Sequence, residues 1–191
     1  MTEQQTHFVI SITSRDRVGI IHEVTKAISE LGGNIADIRQ SVLSGYFTMI
    51  LLASFPPNTT QRAIERKLAE ADSNSESAIE AVVRTAEEQL IVSTSMPENA
   101  YVLTATGHDR IGFVATMASF CAEHKINIID LSTTMSDGAY VMILIVDLNQ
   151  IVSISDMRRD LQEFSQANGI KVVLQHYDIF RAVNEINLPI R

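Results

Sequence analysis

Apolar and polar residues alternate over residues 7–13, with Phe8, Ile10 and Ile12 on one side, which predicts a half-buried strand. Over residues 18–31 the period lengthens. Ile21, Val24, Ile28 and Leu31 recur at three- and four-residue steps, the core stripe of a helix. Gly32-Gly33 stops it. Strands are predicted at 34–43 and 46–55 around a tight Ser44-Gly45 turn, and Pro56-Pro57 breaks the sheet. Thr59-Thr60 leads into a helix to about residue 71, and a fourth strand spans 77–85. The same order then returns: strands at 101–106, 127–134, 139–148 and 170–175, with helices at 111–124 and 155–168. A short helix at 178–186 has no counterpart.

The return of the pattern is a duplication. Residues 8–51 align without a gap on residues 101–144. Both copies carry Thr-x-x-Asp-Arg-x-Gly, at Thr13, Asp16, Arg17 and Gly19 and at Thr106, Asp109, Arg110 and Gly112. Fifteen residues after each Gly comes Asn-Ile-x-Asp, at Asn34 to Asp37 and Asn127 to Asp130. The order βαββαβ, twice, predicts an α+β chain of two ferredoxin-like units. Each has a four-stranded antiparallel sheet with both helices on one face. The expected boundaries are 1–88 and 99–191, the second unit including the short terminal helix, with a linker at 89–98. The third strands are apolar on both faces. A sheet with one face in water should alternate, so the helix-free face is expected to be at least partly covered, by the other repeat or another subunit.

At 191 residues each unit can bury its own core, and 46% apolar with 20% charged residues is ordinary for globular chains. The formal charge of −8, spread over both halves, excludes a basic stripe for phosphate backbones. No apolar run reaches the roughly 20 residues of a membrane span, and the polar start is unlike a signal peptide, so a cytoplasmic protein is expected. The single Cys121 cannot form an intramolecular disulfide and falls on an apolar helix stripe, where a small buried hydrophobe is expected. The five histidines have no metal-ligand spacing, and Ser14, Ser44 and Ser136 lack a nucleophile-elbow context. No cofactor, metal or catalytic residue is therefore expected.

The repeated motif falls where the first strand turns into the first helix. A helix N-terminus offers unpaired N–H groups and partial positive charge, which suit a carboxylate or phosphate. Gly19 and Gly112 permit close approach. Asn34 and Asn127 can donate and accept, and Asp37 and Asp130 could hold an ammonium. These signs fit a small zwitterion. On the residues alone scaffolding is the stronger reading, with Asp16 or Ser14 capping the helix, Arg solvated and Gly packing helix on strand. Neither GxGxxG nor GxxxxGK[ST] occurs, so this is not a phosphate-cradling loop.

Asp16-Arg17-Val18-Gly19-Ile20 and Asp109-Arg110-Ile111-Gly112-Phe113, each followed by Asn-Ile-x-Asp, resemble ACT domains over nearly the whole chain. The resemblance implies units that associate side by side or through their helices. It implies regulation without catalysis, and amino acids bound at a shared interface. Carried over by residue, it implies ligand contacts at Asp16, Arg17, Gly19, Ile20, Asn34 and Asp37, and at Asp109, Arg110, Gly112, Phe113, Asn127 and Asp130. A tandem pair resembles family members that act on transcription of amino-acid metabolism through a DNA-binding partner protein, with glycine among the candidate ligands. No direct contact with nucleic acid or membrane is expected, and a homo-oligomer is. The copies differ at Gly32-Gly33 against Lys125-Ile126, at Arg15 against His108 and at Ile20 against Phe113, which is read as divergence between two ligand sites. The competing reading is an adaptor module without a small ligand, whose apolar sheet is the working surface.

Overall fold

The computed structural model describes residues 5–71, 78–86 and 96–184. The expected linker lies outside the described residues except for its last three positions, as do residues 185–186 of the expected terminal helix. The chain divides into two compact units, Met1–Thr94 and Ser95–Arg191.

The first unit comprises β1 (Thr6–Arg15), α1 (Ile20–Glu30), β2 (Asn34–Leu43), β3 (Tyr46–Phe55), α2 (Gln61–Glu70) and β4 (Glu80–Thr85). Its sheet order is β2-β3-β1-β4, with every neighbouring pair antiparallel. The second unit repeats this with β5 (Ala100–Gly107), α3 (Phe113–Glu123), β6 (Asn127–Ser136), β7 (Ala139–Asp147), α4 (Ile154–Asn168) and β8 (Lys171–His176), in the order β6-β7-β5-β8. It adds α5 (Tyr177–Asn184), which packs against β5 and β8. Both units are ferredoxin-like, as the periodicities predict.

Alternation builds each core. Phe8, Ile10 and Ile12 of β1 and Phe47, Met49, Leu51, Ala53 and Phe55 of β3 bury against Ile20, Val24, Ala27 and Ile28 of α1 and Ile64 and Leu68 of α2. Thr60 caps α2 by accepting from the Ala63 N–H, and Ser153 caps α4 by accepting from the Asp156 N–H, each at 3.2 Å. Lys67 Nζ reaches Glu30 Oε2 at 2.6 Å across α1 and α2. Their hydrogen bond and charges lower the Glu30 pKa and raise that of Lys67. On the helix-free face the units differ. Ile50 and Val82 of the first and Val173 of the second stay half exposed, at 49%, 55% and 48%, whereas Ala100 and Val102 of the second are buried at 1% and 0%.

Two of the sequence differences between the copies fall in the core, where neighbouring side chains compensate for them. Gly33 sits where a Cβ would lie 2.5 Å from Phe55 Cε1, 2.7 Å from Ile28 Cγ2 and 2.9 Å from the Ile28 carbonyl oxygen. At the matching places the second unit carries Ile126, Leu148 and Cys121, all buried. The larger residue at one corner is offset by smaller ones at the other two, as a close-packed interior requires. Gly32 and Lys125 both have positive φ, 71° and 57°. The Ile20–Phe113 difference works the same way. Both are 2% exposed. Phe113 stands edge-on to Tyr140 with ring centroids 5.0 Å apart, and its ring fills the space a Cβ on Gly107 would need. The first unit has Ser14 and Phe47 there. The differences at Gly33 and Ile20 therefore follow core volume.

Gly33→Ile alone is expected to overpack the first unit and cost about 1–3 kcal/mol or more. Adding Phe55→Leu and Ile28→Cys, the second unit's residues, should recover most of the loss. Urea denaturation of the single and triple variants measures it. A triple variant no more stable than the single would remove the compensation account.

Candidate functional site

The central strands fix where the repeated motif lies. β1 ends at Arg15, opposite Tyr46 at the start of β3, and the next residue, Asp16, donates its N–H to the Gly45 carbonyl at 2.9 Å. The loop therefore rests on the β2–β3 hairpin. Gly19 is the N-cap of α1, left-handed at φ 96°, and Gly112 is the N-cap of α3 at φ 86°. The sequence reading put each Gly inside its helix and Asp16 or Ser14 at the cap. In the structure Gly itself takes the capping position, because the chain turns there through a backbone conformation that other L-residues enter at a cost. A Cβ on Gly112 would meet nothing within 4 Å, and one on Gly19 only Glu23 Oε1 at 4.0 Å, so backbone geometry rather than close packing demands these glycines.

The first loop lines a shallow cleft of about 340 Å³. It brings Asp16, Arg17, Gly19 and Ile20 together with Gln40 and Val42 of β2 and Phe47 of β3. Ile20 and its counterpart Phe113 are core residues whose buried faces form the floor behind the loops. Val18 and Ile111, the apolar residues at the two loop tips, are fully exposed at 102% and 105%. Arg17 folds back on the helix and makes a two-pronged ion pair with Glu23, at 2.8 Å and 2.6 Å, with both side chains largely covered. In the second unit Thr116 replaces Glu23 and bonds the Gly112 carbonyl instead, at 2.9 Å. Arg110 is exposed and has no ion pair among the described residues. Asp109 and Gly112 are exposed beside it.

Asn34, Asp37, Asn127 and Asp130 lie elsewhere. Asn34 pairs with Ser54 and Ser54 with His7, nine residues along from Asp16, which is roughly 30 Å at the rise of a strand. Asn127 opposes Asp147, and Asp147 opposes Ala100, again at the far end from Asp109. Within a unit these residues do not join the loop, contrary to the expected shared site. The antiparallel order forces this, since α1 and α3 carry the chain back along the sheet before β2 and β6 begin. Both Asn-Ile-x-Asp motifs hold a register shift, between Ile35 and Asp37 and between Ile128 and Asp130. The motif thus marks a β-bulge at Ala36 and at Ile129. Asp37 Oδ1 accepts from the Ile38 N–H at 2.8 Å and borders a hollow on the helix-free face with Val9, Arg39, Ile50 and Leu52. Asp130 is exposed on β6.

Gln40, Val42 and Glu23 escaped the sequence reading. The antiparallel order alone could have placed the end of β2 beside the loop. The Arg17–Glu23 pair spans six residues, outside the helix spacings that announce ion pairs. Cys121 carries no chemistry here. It is 1% exposed, and burial pushes its thiol up to about 11. The nearby His124 bonds the Phe120 carbonyl at 2.9 Å and approaches Asp160 at 3.6 Å.

A family model described as "ACT domain" matches residues 6–95 and 99–175. A UPF0237 protein of Methanopyrus kandleri is 38% identical over 86 residues, 44% of this chain and 96% of its own length. One from Methanocaldococcus jannaschii is 35% identical over the same shares. A crystal structure of an unknown protein from Galdieria sulphuraria superposes with a TM-score of 0.69 at 25% identity, covering 91% of this chain and 99% of that one. The crystal structure of a candidate glycine cleavage system transcriptional repressor gives 0.68 at 18% identity, covering 90% and 96%.

Gly112→Ala should cost about 1–2 kcal/mol for its left-handed backbone, although its Cβ enters open space, and Gly112→Asn should cost less because Asn tolerates that region. Urea midpoints give the order, and a neutral Ala would show that the conformation is not what the Gly supplies. Cys121 should stay unreactive toward a disulfide reagent at pH 8 in the native protein and react at once in denaturant. Rapid native labelling would refute its burial.

Proposed function

This chain belongs to the ACT-domain family, and we propose that it is a non-catalytic regulatory protein that senses a small amino acid, glycine among the candidates. It acts on transcription of amino-acid metabolism through a partner protein. The observation that carries the reading is the duplicated loop. Each copy sets an acidic residue, an arginine and a left-handed Gly at a helix N-terminus. The helix N–H groups and the arginine have the sign for the ligand's carboxylate, and Asp16 or Asp109 has the sign for its ammonium. The site excludes Asn34 and Asn127 of the same unit, which lie too far away.

The two loops are unequal. Arg17 is held by Glu23, so a ligand carboxylate there competes with a side-chain carboxylate already in place. Arg110 has no such competitor among the described residues, and the loop at Asp109, Arg110 and Gly112 is the sensor of choice. The transcriptional role draws on the net charge of −8, which disfavours a direct grip on DNA, and on the likeness of fold to a candidate repressor.

A ligand that binds only the folded chain stabilises it by about 2.7 kcal/mol at a hundred times its Kd, a rise of about 5–10 °C in Tm for a chain of this size. Thermal melts against each amino acid at millimolar concentration are expected to show such a rise for a small one. Arg110→Ala should abolish it, and Arg17→Ala should leave most of it. Melts that do not move with any amino acid would favour the adaptor reading. Gly19 and Gly112 are poor probes, because any branched residue there distorts the loop on its own account.

A further inference from the structure

We propose that the groove between α4 and β8 in the second unit holds an acidic, leucine-bearing segment of a partner protein. The groove has a volume of about 330 Å³ and an apolar floor of Leu161, Val172 and Leu174. Arg158 stands on its α4 wall and Lys171 on its β8 wall, and no carboxylate lines it. On the same helix Arg159 is engaged by Asp156 at 2.9 Å and Asp160 at 3.8 Å. Arg158 and Lys171 have no ion pair among the described residues.

The duplicate shows that the fold does not need these cations. The caps Thr60 and Ser153 align α2 with α4, which matches Arg158 with Glu65. Thr13 opposes Glu80, and its counterpart Thr106 opposes Lys171, which matches Lys171 with Glu80. At both positions the second unit carries the opposite charge on the matching element, although α4 runs five residues longer than α2. The result is a cationic groove in a chain of net charge −8. Two cations held on opposite walls, with no internal carboxylate between them, complement an external one on each side. Leu161, Val172 and Leu174 call for apolar side chains between those charges. A phosphate backbone would ask for more cations and no greasy floor.

This names the kind of partner the proposed regulator would hold, so it rests on that part of the reading and not on amino-acid sensing. The test is fluorescence anisotropy on the full chain without amino acid, using a short labelled peptide of alternating Glu and Leu. The acidic peptide is expected to bind at low salt. Arg158→Glu with Lys171→Glu, which restores the first unit's charges, should weaken it at least tenfold, while Arg159→Gln changes it less than twofold. Amide shifts on titration should cluster on α4 and β8, and circular dichroism checks that the variants fold. Absence of binding, equal binding of a Lys-Leu peptide, equal competition by a single-stranded oligonucleotide, or shifts confined to other elements would overturn the groove. An amino-acid melt shift surviving such a failure would leave the sensor reading standing.

Discussion

Each unit depends on one antiparallel pairing, β3 on β1 in the first and β7 on β5 in the second. These strands lie in the middle of their sheets and bury Phe47, Leu51 and Phe55 in the first core and Leu103, Met142 and Leu144 in the second. Their register decides which loops can meet. It sets the Asp-Arg-x-Gly turn on the β2–β3 hairpin, where Asp16 bonds Gly45, and sends Asn34 and Asn127 to the other end. It also decides orientation, since a slip of one residue would exchange the core face for the outer one. The bulges at Ala36 and Ile129 act against this frame. They absorb one residue of β2 and β6 without disturbing the inner pair, so that Ile35 and Ile38 both oppose inward residues of β3.

Duplication leaves this frame constant and moves the differences into three places. In the core they cancel. Gly33, Phe55 and Ile28 in one unit and Ile126, Leu148 and Cys121 in the other fill the same volume by different divisions, and so do Ser14, Ile20 and Phe47 against Gly107, Phe113 and Tyr140. Beside the loop they do not cancel, because replacing Glu23 by Thr116 changes what an arginine can reach. On the α4 and β8 walls they reverse the sign of the surface. Only the last two alter what the surroundings meet.

Element types and order were legible because periodicity reports burial, and the repeat doubled every signal. Phe8, Ile10 and Ile12 alternate because one side of β1 faces α1 and α2, and that is visible in any register. The loop glycines were legible as special, but not for the right reason. A left-handed cap and a close packing contact both ask for Gly, and only φ separates them. Asn34 lies away from the loop because α1, with the turns at both its ends, carries the chain back to the other end of the sheet before β2 begins. The compensations at Gly33 and Phe113 were not legible at all. Each joins a local pair, Ile28 with Gly33 or Gly107 with Phe113, to a residue of the third strand, Phe55 or Tyr140, and a single substitution read alone looks like a change of function.

The Arg17–Glu23 pair makes the two loops chemically different while both keep a left-handed Gly at the helix start. Both side chains are mostly covered, at 15% and 18% exposure, and the contact is two-pronged, the geometry in which arginine and carboxylate bind best. An incoming carboxylate would have to displace Glu23 and leave a half-buried anion without that partner, a cost that offsets the new bond. The pair thus ties the first loop to the first turn of α1. Thr116 asks nothing of Arg110, since its hydroxyl is spent on the Gly112 carbonyl within its own helix turn. A carboxylate meeting the second loop would not carry that cost, and only differential affinity for two arrangements lets any ligand shift a protein between them.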